Sequence, residues 1–503
     1  MTDPAAPYDL LIIGGGVNGA GIARDAAGRG LAVCLVEQDD LAAHTSSAST
    51  KLIHGGLRYL EQGELRLVRE ALAERERLLA IAPHIVRPLR FVLPYIDGLR
   101  PRWLLRLGLF VYDHAGGRER LAASSSTRLA GTPLGAPLRA DITDGFEYSD
   151  CAVDDSRLVV LNALDAAERG ATVLTRTRVV GIQAQPSGWH VSIEARDTGV
   201  RTVLRARALV NASGAWVNDL LRLADIPPRQ HLRLVKGSHL VLRRQYEGEQ
   251  AYLLQSPDRR VVFAIPWEGR YTLVGTTDIA FEGDPAQVAI DTAETGYLLA
   301  ILNRFLRRPA GAADIVASFS GVRPLYDDGS GAAAPRVSRD YHLELQTSTA
   351  GPPILSVYGG KITTYRRLAE HALLLLLPAM DIRDGDPWTG GEPLPGGDLP
   401  HADFDRFHQH ALARWRGLPP GLVTRLARHY GTRMTRILGG AQRLVDLGAL
   451  FGEDLTLAEV RYLVATEWAR SAQDILWRRT RLGLALPDSA VHDLQDAVAQ
   501  LLG

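Results

Sequence analysis

The stretch YDLLIIGGGVNGAGIARDAAGRGLAVCLVE, residues 8–37, decides the fold. Residues 8–13 are an apolar run with the character of a buried strand. Gly14-x-Gly16-x-x-Gly19 follows at once, then a small-residue helix carrying Ala20, Ala23, Ala26 and Ala27. Residues 31–36 form a second apolar strand that ends on Glu37. Glycines let the backbone turn tightly and approach a pyrophosphate, and the helix N-terminus offers unpaired N–H groups and the positive end of its dipole. An acid about 20 residues further on accepts hydrogen bonds from a ribose. Gly14, Gly16, Asn18, Gly19 and Glu37 are therefore candidate dinucleotide ligands.

Outward from that unit, 503 residues exceed what one core supports, so two or three domains are expected. With 57 basic and 57 acidic side chains the chain has no net charge, which gives no reason to expect a nucleic-acid partner. The longest apolar run, 372–380, is far short of the ~20 residues that span a bilayer. The start lacks a basic-then-apolar leader. Only Cys34 and Cys151 occur, as expected of a reducing, cytosolic compartment without disulfides. No Cys/His cluster has metal-ligand spacing, so no metal is expected.

Helical spacing recurs at 61–82, around Arg157 to Gly170, and at 363–377. Strands are expected at 172–182, 189–194, 204–210 and 355–357, with a hairpin 261–267/271–276 about Glu268-Gly269. Residues 384–400 hold five glycines and four prolines and read as a linker. Beyond it every segment is helical, with Thr456-x-x-Glu459 as a capping box, and its many arginines read as solvated faces and ion pairs. The nucleotide-type pieces are interleaved with antiparallel insertions. That favours FAD, whose isoalloxazine reaches a second, sheet-based domain. The expected architecture is α/β. A discontinuous Rossmann-like FAD-binding domain spans 1–60, 151–215 and 350–383. An antiparallel-sheet substrate domain spans 61–150 and 216–349, and an all-helical cap spans 401–503.

Six further motifs carry a family likeness: TSSASTKLIHGGLRYL at 45–60, GFEYSD at 145–150, KGSH at 236–239, GTTD at 275–278, SGVRPL at 320–325 and GGKITTYR at 359–366. Together they resemble the FAD-dependent glycerol-3-phosphate dehydrogenases of aerobic bacteria, within the D-amino-acid-oxidase-like flavoproteins, over nearly the whole chain. The resemblance implies FAD as cofactor and oxidation of sn-glycerol 3-phosphate to dihydroxyacetone phosphate. It also implies a membrane quinone as acceptor, a homodimer, and peripheral attachment to the cytoplasmic face of the cell membrane. By resemblance Arg323 is the main phosphate ligand, with Arg58 and Lys361 as further cationic contacts and Thr276 beside them. Guanidinium suits phosphate because it binds bidentately. Lys361 has a second possible role, stabilising a reduced flavin ring by its charge.

Oxidation needs an acceptor for the substrate hydroxyl proton. His54 is the natural candidate, His239 a second, and either histidine has the alternative of a neutral structural role. Tyr59 is placed to orient the hydroxyl. Ser46, Ser47 and Lys51 are expected to face the pyrophosphate and ribityl chain, and Gly214 and Gly360 to approach the cofactor from a strand end and a helix start. Residues 100–112 mix arginines, aromatics and leucines as an interfacial segment does. An oxidase passing electrons to O₂ and a non-catalytic FAD-binding protein are the competing readings.

Overall fold

The computed structural model describes residues 6–96, 99–258, 260–327, 340–348, 351–383 and 385–503; the side chains of Arg58 and Gln62 lie outside the described set. Five parallel strands form the centre of the first sheet. Their spatial order is Gly351–Tyr358, Arg201–Asn211, Tyr8–Ile13, Val33–Val36 and Thr172–Leu174. Ile13 stands opposite both Val36 and Asn211, so Gly14, Glu37 and Ala212 leave the sheet at one carboxyl edge. Ligands collect at that edge of an open parallel sheet.

Tyr8–Ile13 is apolar on both faces because both faces are covered. Leu10 and Ile12 pack with the helices Val17–Gly28, Asp155–Glu168 and Tyr365–Ala379, while Leu11 and Ile13 meet Trp189 and Val191 of the hairpin Thr177–Gln185/Gly188–Ala195. Gly21 lets two of those helices close up, since a Cβ there would stand 2.7 Å from the Tyr365 ring.

The second sheet has ten strands and is largely antiparallel. Its spine is the pair His231–Arg243/Ile315–Asp327, whose register sets Val235 opposite Arg323 and His239 opposite Phe319. The hairpin Val261–Trp267/Tyr271–Gly275 lies where the sequence places it. The strands Val86–Pro94, Asp144–Val153, Ala251–Gln255, His231–Arg243 and Ile315–Asp327 carry no sequence expectation above, and they build most of this sheet.

The expected domain limits shift accordingly. Leu52–Ile53 pairs with Asp144–Val153 and so belongs to the second sheet. The limit at 150/151 falls inside that same strand, and His342–Ser348 joins the first sheet beside Gly351–Tyr358.

Of the expected linker 384–400, residues 385–400 are not a free tether. Trp388 Nε1 donates to Asp25 O at 3.1 Å, Arg169 stacks on its ring at 4.2 Å, and Leu394 N donates to Ile81 O at 2.8 Å. One large aromatic and a few backbone bonds suffice to dock a Gly/Pro-rich strap. Past it, helices Phe404–Arg414, Pro420–Tyr430, Leu457–Thr466 and Asp488–Leu502 enclose a separate core around Leu426, Tyr430, Leu463 and Leu494, with one short ribbon, Leu450–Phe451/Leu455–Thr456. Thr456 caps its helix by accepting from Glu459 N, but the Glu459 carboxylate turns inward to the largely enclosed Arg425. Arg425 and Arg479 are thus interior ion pairs, not solvated faces.

Candidate active site

One elongated cavity of about 960 Å³ runs from the carboxyl edge of the parallel sheet to the antiparallel sheet. At its nucleotide end Gly14 has φ +117°, and a Cβ there would lie 2.4 Å from Ala212 O; only glycine fits. Ser46 Oγ accepts from Val17 N at 3.0 Å, standing at the N-terminus of the nucleotide helix. Glu37 accepts from Gly15 N at 2.6 Å and from Asp39 N at 2.9 Å. Burial pushes its carboxyl pKa up while those N–H groups pull it down. Trp216, Gly214 and Thr177–Val179 line the far wall. Asn18 donates from Nδ2 to Gly359 O at 3.2 Å, while its buried Oδ1 has no partner among the described residues. An open helix N-terminus, a ribose-seeking acid and a buried orphan acceptor along one long slot fit a dinucleotide.

At the other end Arg323 rests flat on Gly237, where a Cβ would meet its Nη2 at 2.5 Å. Its Nη1 donates to Asp278 Oδ1 at 2.8 Å and its Nη2 to Thr276 Oγ1 at 3.1 Å, which fixes the guanidinium before any ligand arrives. Lys361 Nζ sits 3.7 Å above the Tyr59 ring. The backbone of His54 is pinned on both sides by Thr363 Oγ1, which accepts from His54 N at 3.3 Å and donates to His54 O at 3.4 Å, leaving the imidazole towards the cavity and edge-on to Phe263. Such an arrangement can grip an anion, orient a hydroxyl and take up a proton.

The cavity brings together Gly14, Gly16, Asn18, Glu37, Ser46, His54, Tyr59, Gly214, Thr276, Arg323, Gly360 and Lys361. Four expected residues stand outside it. Gly19 serves helix–strand packing instead, because a Cβ would fall 1.9 Å from Gly14 O. The Ser47 hydroxyl turns back to His44 O at 3.1 Å. Lys51 is buried in an ion pair with Asp155, Nζ to Oδ2 2.9 Å, so its charge is spent inside the protein. His239 is fully buried behind Gly275, its Nε2 3.0 Å from Thr50 Oγ1. Burial, and then the charges of Arg323 and Lys51, hold its pKa well below the usual histidine range. The imidazole thus stands behind the wall, with Thr50 between it and the cavity. The Arg58 side chain lies outside the described residues.

Sequence reasoning missed Asp278, Gln255, Arg260 and Phe263, all on the cavity wall. Asp278 closes the GTTD motif, the one signal that pointed to it. Arg100, read only as interfacial, donates to Gln255 Oε1 at 2.8 Å and pairs with Glu61 at the cavity mouth.

Fold and site together define a two-sheet flavoprotein oxidoreductase with its dinucleotide cradle at the parallel sheet. Residues 9–366 match the model of the FAD dependent oxidoreductase family, and residues 388–503 match the C-terminal domain of alpha-glycerophosphate oxidase. The chain belongs to this FAD-dependent oxidoreductase family, and FAD is its cofactor. It is 53% identical over 492 residues to a glycerol-3-phosphate dehydrogenase of Pseudomonas aeruginosa, covering 97% of this chain and 94% of that one. It is 51% identical to a D-erythritol 1-phosphate dehydrogenase of Brucella abortus, covering 97% of each. The FAD-complexed glycerol-3-phosphate dehydrogenase of Bacillus halodurans superimposes with a TM-score of 0.77 at 28% identity, over 99% of this chain and 90% of that one. Among the described residues no helix is long and apolar enough to cross a membrane.

Proposed function

We propose that the chain oxidises sn-glycerol 3-phosphate to dihydroxyacetone phosphate and passes the electrons to a membrane quinone. The observation that carries this reading is Arg323, held flat by Asp278 and Thr276 in the same cavity as Lys361, His54 and the nucleotide cradle. A phosphate dianion takes two parallel N–H bonds from such a guanidinium. Lys361 adds a second positive charge, and its stacking on Tyr59 limits where that charge can swing. Tyr59 and Thr276 orient the secondary hydroxyl. FAD held by Gly14, Gly16, Asn18 and Glu37 would supply the two-electron sink for the hydride leaving C2. The hydroxyl proton leaves to the His54 imidazole as the C2–O bond becomes a carbonyl.

The helix Arg102–Ala115 supports the acceptor assignment. Leu105, Leu109 and Tyr112 are buried on its inner face, whereas Trp103 and Phe110 are 68% and 54% exposed. Leu104, Leu107 and Val111 of the same helix line the cavity, so apolar surface is continuous from the outside to the site. A peripheral contact with the cytoplasmic face of the membrane would put a lipid-dissolved quinone at that mouth. A homodimer is the assembly proposed, to be checked by light scattering.

The Brucella relative favours one second reading, a four-carbon polyol phosphate as substrate. Anaerobic bleaching of the flavin distinguishes them: glycerol 3-phosphate should bleach it faster than erythritol 1-phosphate, and glycerol should not. Bleaching by none of these ends the proposal. Stopped-flow reoxidation by a soluble quinone analogue against air then separates dehydrogenase from oxidase.

A further inference from the structure

Three guanidinium groups of the C-terminal domain, in the tetrapeptide Arg478-Arg479-Thr480-Arg481, find their partners in the nucleotide-binding part of the chain. Arg479 is fully buried and donates to both carboxylate oxygens of Asp40, at 2.8 Å each, with a further bond to Glu467 O at 2.7 Å. Arg478 Nε reaches the same carboxylate at 2.6 Å. Arg481 donates to Asp154 at 2.7 Å and to Asp155 at 2.9 Å.

Those carboxylates hold up one wall of the FAD cavity. Asp40 sits within the turn that follows Glu37, and Gln38, Ala43 and His44 of that turn line the cavity. Asp155 lies beneath the next stretch, taking Ser49 Oγ at 2.7 Å and Lys51 Nζ at 2.9 Å. Both ends of the 37–51 wall are thereby fixed from outside the nucleotide domain.

The backbone that delivers the arginines is unusual. Asp474–Arg479 is a π-helix, and Arg481 has φ +58°, a left-handed conformation that costs free energy in a long side chain. Conformations of this kind persist where surrounding contacts demand them.

We propose that this tetrapeptide is a retention clasp for FAD, and that Arg479 and Arg481 are positioning residues for the cofactor, acting through Asp40 and Asp155. The wall they hold is pre-shaped, so FAD loses less in ordering it on binding. The inference concerns cofactor affinity and stands independently of which substrate is oxidised.

The test measures the dissociation constant of FAD from its regained fluorescence, together with the rise in melting temperature when FAD is added to apoprotein. Arg479→Met and Arg481→Met should each weaken FAD binding by about tenfold or more and shrink that rise. Arg425→Met is the control. Arg425 is also largely enclosed, 12% exposed, and its partners Glu459 and Asp454 belong to the C-terminal domain, not to the 37–51 wall. Its loss should lower the melting temperature while FAD affinity holds. If Arg479→Met fails to fold, Arg481→Met and Arg478→Met carry the test. Parental FAD affinity in a folded Arg481→Met variant, or equal loss of FAD from Arg425→Met, overturns the proposal.

Discussion

Replacing Arg323 by alanine should cost more than the contact it makes, because of what it leaves behind. The side chain is 24% exposed and fixed by Asp278, whose own side chain is only 6% exposed. Losing a charge-assisted hydrogen bond to phosphate costs about 1.5–3 kcal/mol. The alanine variant also removes one cationic partner of Asp278 and leaves its carboxylate facing the incoming phosphate. At an effective dielectric near 20, like charges about 6 Å apart repel by roughly 2–3 kcal/mol, less where water enters the vacated space. Together these give on the order of 3–5 kcal/mol, so kcat/KM should fall about 10²–10⁴-fold. Because ground-state binding is lost, the Michaelis constant should carry much of the fall. Visible flavin absorbance should persist, since Arg323 stands away from the nucleotide cradle. The double variant Arg323→Ala/Asp278→Asn tests the argument directly: removing the carboxylate charge should recover about tenfold of the loss. Steady-state kinetics with saturating acceptor supply both numbers. A Michaelis constant within about twofold of the parent, or a double variant no better than the single one, would refute the reasoning.

Three other outcomes follow from the same geometry. Gly14→Ala drives a Cβ into the carbonyl of Ala212 at 2.4 Å and from φ +117°, so the protein should purify without colour and lose on the order of 2 kcal/mol or more; flavin content and thermal melting check it. Burial, and then the Arg157 charge, push the His84 pKa down from 6.5 to about 3. The unfolded chain therefore binds the extra proton, so the stabilising contribution is complete above pH 6.5 and lost as pH falls towards 3. At pH 5 the loss is about 2 kcal/mol, and His84→Leu should flatten the fall in melting temperature between pH 7 and pH 5. Trp103→Ala combined with Phe110→Ala should abolish flotation with anionic liposomes while leaving anaerobic flavin bleaching intact; parental flotation would remove this helix from the membrane contact.

Sequence legibility followed the range over which each feature acts. The nucleotide unit was readable because its causes are local: residues 8–37 contain the strand, the turn, the helix N-terminus and the acid, each within a few positions of the next. Arg323, Lys361, His54 and Tyr59 were legible through motif resemblance, and their motifs meet in space through three separate strands: Ile315–Asp327, Gly351–Tyr358 and Leu52–Ile53. Where a partner is distant in sequence, the reading failed. Lys51 looks like an anion ligand until Asp155, 104 residues away, takes its charge. His239 looks like a base until Gly275 and Phe319 close over it. The strands of the second sheet escaped because several are buried on both faces, and a continuous apolar run has no period to read.

The strap at 384–400 and the arginines beyond it show the same limit from the other side. Glycine and proline content describes how a chain behaves when nothing touches it, and a single tryptophan seated on Gly28 is enough to change that. Arginine content likewise reads as surface by default, since an unpaired guanidinium is too costly to bury. Arg157, Arg479 and Arg481 are interior because Glu467, Asp40 and the Asp154–Asp155 pair reach them across the seam between the C-terminal domain and the nucleotide fold. Breaking any one pair would strand a buried charge, so the seam resists piecemeal opening. A cofactor wall anchored at such a seam is stiff for a physical reason that no window of sequence contains: the acids and the bases that fix it are written more than 300 residues apart.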